Sequence, residues 1–171
     1  MQQQRGFTLI ELIIVIVILG ILAVTAAPKF IDIQGDATAS TLKGVKAALQ
    51  GGSQLVYAKS AIAGEQKNVG TDPSVDKNKV TISGGDVNTN YGYPSAVTMD
   101  ATMLQRWVDL NLTAVTGDWT FTEDSPASGS FTITPLGTAA STVAANQCQV
   151  TYTDAASQNA SPTILVQTGG C

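Results

Sequence analysis

One acidic residue, Glu11, lies inside an apolar run that extends from Phe7 to Ala27. An ionised carboxylate in hydrocarbon is costly, so such a residue needs a cationic partner or a specific role. The chain contains no histidine, so it lacks the commonest general base and the commonest transition-metal ligand of proteins. It also has no phosphate-binding glycine loop and no nucleophile–base set. We therefore expect the chemistry of this chain to lie in its N-terminal segment.

The composition argues against several classes of function. The chain has 171 residues, a net charge of −4 and only 13% charged residues. A mildly acidic chain without a basic block is a poor candidate for binding nucleic acid. No acidic group matches the spacing of a calcium loop, so neither a metal site nor a cofactor is predicted. The length suits about one domain plus an N-terminal segment.

The apolar run is long enough to form a membrane-spanning helix. A helix over Phe7–Ala27 would span about 30 Å, the thickness of a bilayer core. A polar leader, Met1–Gly6, precedes it and carries one basic residue, Arg5. This arrangement predicts a segment that spans a membrane once.

Three other interpretations of this segment remain open. It is also compatible with a secretory signal cleaved at Val24-Thr25-Ala26, although the acid inside the apolar run and Pro28 oppose cleavage there. A simple membrane anchor with no assembly role is the second. The third concerns Glu11 alone, because Thr8-x-x-Glu11 fits a capping box in which the acid reaches back to the helix start.

The segment Gly6-Phe7-Thr8-Leu9-Ile10-Glu11, followed by a long apolar helix, resembles the class III signal of type IV pilins. The resemblance implies that a prepilin peptidase cleaves after Gly6 and that Phe7 becomes the N-methylated first residue. Glu11 would then pair with the Phe7 amine of a neighbouring subunit. Desolvation offsets much of the attraction between such charges, so the expected benefit is the axial register of the incoming subunit.

Within this class the chain most resembles the mannose-sensitive haemagglutinin (MSHA) pilins, through Ala23-Val24-Thr25-Ala26-Ala27-Pro28 and Tyr57-Ala58-Lys59-Ser60-Ala61. The resemblance implies a major subunit that polymerises with itself into an extracellular fibre for adhesion and biofilm formation. An assembly platform and motor ATPases would extrude that fibre. The alternatives are a major pseudopilin of a type II secretion system and, more remotely, a membrane-tethered enzyme or binding protein.

The pattern after the apolar run predicts one long, bent helix that ends near Ile62. Pro28 is expected to kink it. Apolar residues then recur at spacings of three and four, which indicates an amphipathic second half, and Gly64 is a plausible terminator. Two helices broken at Gly51-Gly52 are the alternative.

The predicted segments are a leader over 1–6, an assembly and transmembrane half over 7–28, an amphipathic half over 29–62 and a globular part over 63–171, with 29–171 as one soluble unit.

The globular part predicts an α+β fold in which an antiparallel sheet of about four strands packs on the helix. Residues 65–93 have the composition of a surface loop with a short strand at 80–82, and Thr98 or Asp100 is expected to cap a short helix through Leu110. Period-two alternation predicts the four strands near 119–122, 130–134, 149–153 and 163–166.

Cys148 and Cys171 are the only cysteines in the chain. An even count in an exported chain favours a disulfide, and two unpaired thiols are the alternative. Pilins of the resembled family commonly carry such a C-terminal disulfide loop on the outer surface of the fibre.

Overall fold

The computed structural model describes residues 6–69, 78–112, 116–124 and 127–171, with the side chains of residues 26–32 excepted. It forms two compact units, Met1–Ala37 and Thr38–Cys171. In chain order the elements are α1 (Leu9–Ala63), β1 (Lys79–Ile82), β2 (Gly85–Asn90), β3 (Tyr93–Pro94), α2 (Ala101–Leu104), β4 (Trp119–Glu123), β5 (Ser130–Pro135), β6 (Gln149–Thr153) and β7 (Thr163–Gln167).

The predicted α+β class is confirmed: a long N-terminal helix is followed by antiparallel sheets, as in the type IV pilin fold. Within the described residues, the structure contains no helix with both the length and the apolarity needed to cross a membrane. The α1 backbone is helical through Pro28 and through Gly51-Gly52, so the alternative of two separate helices is wrong. The kink at Pro28 stays a prediction.

Gly64 ends α1, as predicted. Its φ of +77° is a conformation that glycine adopts without steric cost. The amide of Gly64 donates to the carbonyl of Ala61 (3.2 Å), and the amide of Glu65 donates to the carbonyl of Ser60 (2.9 Å). These two bonds form a Schellman motif, which satisfies carbonyl groups that the end of a helix otherwise leaves unpaired.

The second half of α1 buries one side against the globular part. Gly52 permits the closest approach there, because a Cβ at this position would lie 2.5 Å from the carbonyl oxygen of Trp107 and 2.7 Å from its ring. A side chain larger than hydrogen at residue 52 would push the tryptophan away. The buried side of this half consists of Leu42, Val45, Leu49, Ser53, Val56 and Ser60.

The four strands predicted from alternation form one antiparallel sheet in the order β4-β5-β6-β7. Its core side carries Phe131, Ile133, Val150 and Tyr152, all fully buried. The rings of Phe131 and Tyr152 stack with centroids 4.8 Å apart. Because these residues alternate with threonines along the chain, the period-two pattern located them correctly.

On the two central strands, β5 and β6, the other side of this sheet is polar and is also buried. Gln149 accepts a bond from the amide of Ser141 (2.9 Å) and donates to Gln167 (3.1 Å), which also accepts from the hydroxyl of Thr151 (3.1 Å). Ser141 belongs to the connection between β5 and β6. It contains one 3-10 turn, Ala144–Asn146. Hydrogen bonding allows such polar groups to be buried without a large penalty.

Strands β1, β2 and β3 form a separate three-stranded sheet in the order β1-β2-β3. The sequence predicted only one short strand of it, at 80–82. Most of residues 79–94 thus form strands where the composition suggested a loop. Tyr91, with φ of +52°, and Gly92, with φ of +83°, form the turn between β2 and β3. Asp100 caps α2 by accepting from the amide of Met103 (2.7 Å), which confirms the predicted cap, although α2 ends at Leu104 rather than Leu110.

Candidate functional site

The first half of α1 exposes its apolar side chains on every side. Phe7, two residues before the helix, is 93% exposed. Apolar side chains around a whole helix require a surrounding that the chain itself does not supply, namely lipid or other helices. The large apolar residues exposed in this segment are Leu9, Ile10, Leu12, Ile13, Ile14, Val15, Ile16, Val17, Ile18, Leu19, Ile21, Leu22 and Val24.

Glu11 lies in the first turn of this segment, and its carboxylate folds back over the helix start. Its Oε2 accepts from the backbone amide of Thr8 (2.9 Å) and from the Thr8 hydroxyl (2.7 Å). The amide of Glu11 in turn points to Thr8 Oγ1 at 3.4 Å. This is the capping box predicted from Thr8-x-x-Glu11. It positions the carboxylate close to the chain end that cleavage after Gly6 would create.

Gly6 and Phe7 precede the helix and are both exposed. The peptide bond between them therefore lies in accessible, non-helical backbone, the kind of site at which proteolysis is favoured. Pro28 lies within α1, in the stretch whose side chains are excepted. The roles of Gly6, Phe7, Glu11 and Pro28 stay predictions at this point.

Cys148 and Cys171 are joined by a disulfide, with their Cα atoms 4.9 Å apart. The last residues pack closely on the 3-10 turn, since a Cβ at Gly169 would lie 2.3 Å from the carbonyl oxygen of Ala144. The amide of Gly170 donates to the carbonyl of Gln147 (2.9 Å). The cross-link and this packing hold the chain end against the 3-10 turn.

Asp154 is a half-buried carboxylate that the sequence analysis did not single out. It follows β6 directly, and its carboxylate accepts a hydrogen bond from the amide of Ala96 (2.6 Å). The side chains of Asn90 and Ser95 also donate to this carboxylate, each at 3.4 Å. It therefore connects the four-stranded sheet to the end of the three-stranded one. Burial raises the pKa of Asp154, and its hydrogen bonds only partly oppose this shift.

Among the residues that the structure describes, no group of three or more cysteine or acidic side chains is arranged to hold a metal ion. Two surfaces of the described residues are candidates for function: the exposed N-terminal segment with Glu11, and the outer surface of the globular unit.

Comparison with known proteins bears on the N-terminal segment. Residues 1–27 match the family model described as the prokaryotic N-terminal methylation motif. The chain is also similar to the type IV narrow pilus major component PilA5 of Thermus thermophilus, with 48% identity over 46 residues. That similarity covers 27% of this chain and 40% of the relative's length. No solved structure matches the chain.

Proposed function

We propose that this chain is the major structural subunit of a type IV pilus, which polymerises through its N-terminal helix into an extracellular fibre. It acts as a building block rather than as an enzyme. The matched methylation motif and the similarity to a pilus component support the class of protein. The arrangement around Glu11 carries the assembly role within that class.

Glu11 supplies a negative charge in a segment whose surroundings must come from outside the subunit. Thr8 engages one carboxylate oxygen, Oε2, and the carboxylate stays at the helix start. In the processed subunit, cleaved after Gly6 and N-methylated on Phe7, the new amine is cationic near neutral pH. The amine of a neighbouring copy then neutralises Glu11. Because an unpaired buried charge is strongly unfavourable, this pairing selects one axial register.

Before assembly, the helix over 7–28 holds the precursor in the inner membrane, where prepilin peptidase cleaves and methylates it. An assembly platform with cytoplasmic motor ATPases then extrudes the fibre. The similarity of residues 23–28 and 57–61 to MSHA pilins supports the finer proposal that the fibre serves adhesion and biofilm formation. The relative's description as a pilus component gives no reason to prefer the pseudopilin alternative.

The test is Glu11→Gln, which keeps a side-chain oxygen for Thr8 and removes only the charge. We expect the yield of fibre sheared from the cell surface to fall at least tenfold, while cleaved, methylated subunit accumulates in the membrane. Mass spectrometry of the mature N-terminus should give N-methyl-Phe7 in the Glu11→Gln variant and in the unaltered chain. Glu65→Gln, which removes a charge beyond α1, is the matched control and should leave fibre yield unchanged. Normal fibre from Glu11→Gln would remove the assembly role.

A further inference from the structure

The second half of α1 has an outward face that the subunit leaves uncovered. Leu55 and Ile62 on this face are 59% and 86% exposed. They belong to a row with alternating spacings of four and three, which lies along one side of a helix as in the seam of a coiled coil. The row spans about 27 Å and lies away from the buried side. Its members are Gly44, Ala48, Gly51, Leu55, Ala58 and Ile62.

Two of these positions cost stability without serving the subunit's own packing. A Cβ at Gly44 or Gly51 would meet nothing within 4 Å. Glycine inside a helix costs about 0.5–1 kcal/mol relative to alanine, so the isolated subunit would favour alanine at both positions. Gly52, the adjacent residue, is explained by its contact with Trp107, whereas Gly44 and Gly51 are not.

Charge is segregated between this helix and the rest of the unit. Residues 38–63 carry three lysines and no acidic residue, whereas residues 64–171 carry ten acidic and four basic residues. Lys43 and Lys59 are exposed and lie on opposite flanks of the row, at about 100° of rotation per residue. The row is therefore an apolar surface with a positively charged border.

We propose that this row docks on the acidic globular surface of a second copy of the chain. The proposal rests on the proposed pilus function and specifies which surfaces of two subunits meet. Pairing the row with the same row of another copy would bring lysines against lysines, which is unfavourable. A contact between two different patches of one molecule is heterologous, and repeating it gives an open helical filament when the rotation between copies does not close a ring.

We place this contact at the edge strand β4, which has acidic residues at both of its ends. Asp118 lies just before β4, and Glu123 and Asp124 lie at its far end, all three exposed. The two ends of this edge are about 20 Å apart at the rise of a strand. Lys43 and Lys59 are about 24 Å apart at the rise of a helix. Each lysine can thus meet acidic groups at one end of β4.

The test measures sheared fibre from cells that produce the full-length chain with its assembly machinery, together with the cellular level of cleaved subunit. We expect the double variant Leu55→Gln/Ile62→Gln to reduce fibre at least tenfold. Ala61→Gln is the matched control, because residue 61 is exposed on the same helix but about 100° away from Ile62. It should assemble normally.

Charge reversal identifies the partner surface and uses only exposed positions. Lys43→Glu/Lys59→Glu and Glu123→Lys/Asp124→Lys should each reduce fibre at least tenfold, and the combination of all four should restore it to within threefold of the unaltered chain. Unchanged fibre from either reversal, or no restoration by the combination, would overturn the proposal. If the unaltered chain forms no fibre, the proposed function fails; if it forms fibre and these variants match it, only this inference fails.

Discussion

The two halves of α1 share one helix but are determined by different surroundings. In Leu9–Thr25 all described side chains are exposed, whereas in residues 38–63 one side is buried in the core of the globular unit. The first half therefore contributes little to the stability of the subunit by itself. Its apolar sequence makes sense only in contact with lipid or with other subunits. The second half has one side buried in the core and an opposite side that is exposed.

This comparison separates two kinds of measurement. Substitutions in the first half should change assembly and leave the subunit's stability unaltered. Substitutions on the buried side of the second half should change stability first. The following predictions test this separation with pairs of equivalent residues, one from each surrounding.

The largest expected difference is between two leucines of α1. Leu49 is fully buried and Leu12 is 61% exposed. Leu49→Ala should lower the free energy of unfolding by about 2–5 kcal/mol, because it removes apolar burial and leaves a cavity. Leu12→Ala should change it by less than about 0.5 kcal/mol, as is usual at exposed sites. Urea unfolding of the purified full-length chain in mild detergent gives both values.

If Leu12→Ala destabilised the subunit as much as Leu49→Ala, the first half would have intramolecular contacts that this structure does not contain. The separation between assembly and stability would then be wrong. Mass spectrometry of the N-terminus, on chain from cells that contain the assembly machinery, shows whether cleavage after Gly6 is unaffected in both variants, as we expect for residues outside the leader.

A smaller difference is expected between the adjacent glycines of the second half. Gly52→Ala places a methyl group against Trp107 and should destabilise by about 1–3 kcal/mol through overpacking. Gly51→Ala enters open space and should stabilise by about 0.5–1 kcal/mol through helix propensity. Unfolding of both variants under one set of conditions checks the sign. Equal effects of the two substitutions would contradict the close packing at Gly52.

The sequence was most informative where a repeated pattern coincides with burial. Alternation located β4–β7 because Phe131, Ile133, Val150 and Tyr152 face one core. The spacing of apolar residues in α1 located buried positions from Leu42 to Val56, whereas Ile33, which belongs to the same pattern, is 61% exposed. Gly64 was identified as the helix end because a left-handed residue is commonly glycine. The capping box of Thr8 and Glu11 followed from spacing alone because it is a local interaction.

The sequence was least informative where polar residues are buried by non-local contacts. Residues 85–90, Gly-Asp-Val-Asn-Thr-Asn, have the composition of a loop, yet they form β2 by pairing with β1 and β3. The Gln149–Gln167 network depends on a loop that folds over the sheet, which no periodicity encodes. Asp154 was missed for the same reason, because its partner Ala96 is 58 residues away along the chain.

The smallest expected effect concerns Asp154, whose pKa is raised by burial in the folded subunit. Its value in the unfolded chain is about 3.9. Between these two values the folded state binds more protons than the unfolded state, so stability falls as pH rises through that window, and the cost of burying the charged carboxylate is fully present above it.

Asp154→Asn removes the charge while its amide oxygen can still accept from Ala96. The difference in unfolding free energy between Asp154→Asn and the unaltered chain should therefore shift in favour of the variant as pH rises from about 3.5 to 7. A constant difference across that range would show that the charge at residue 154 is not what burial opposes.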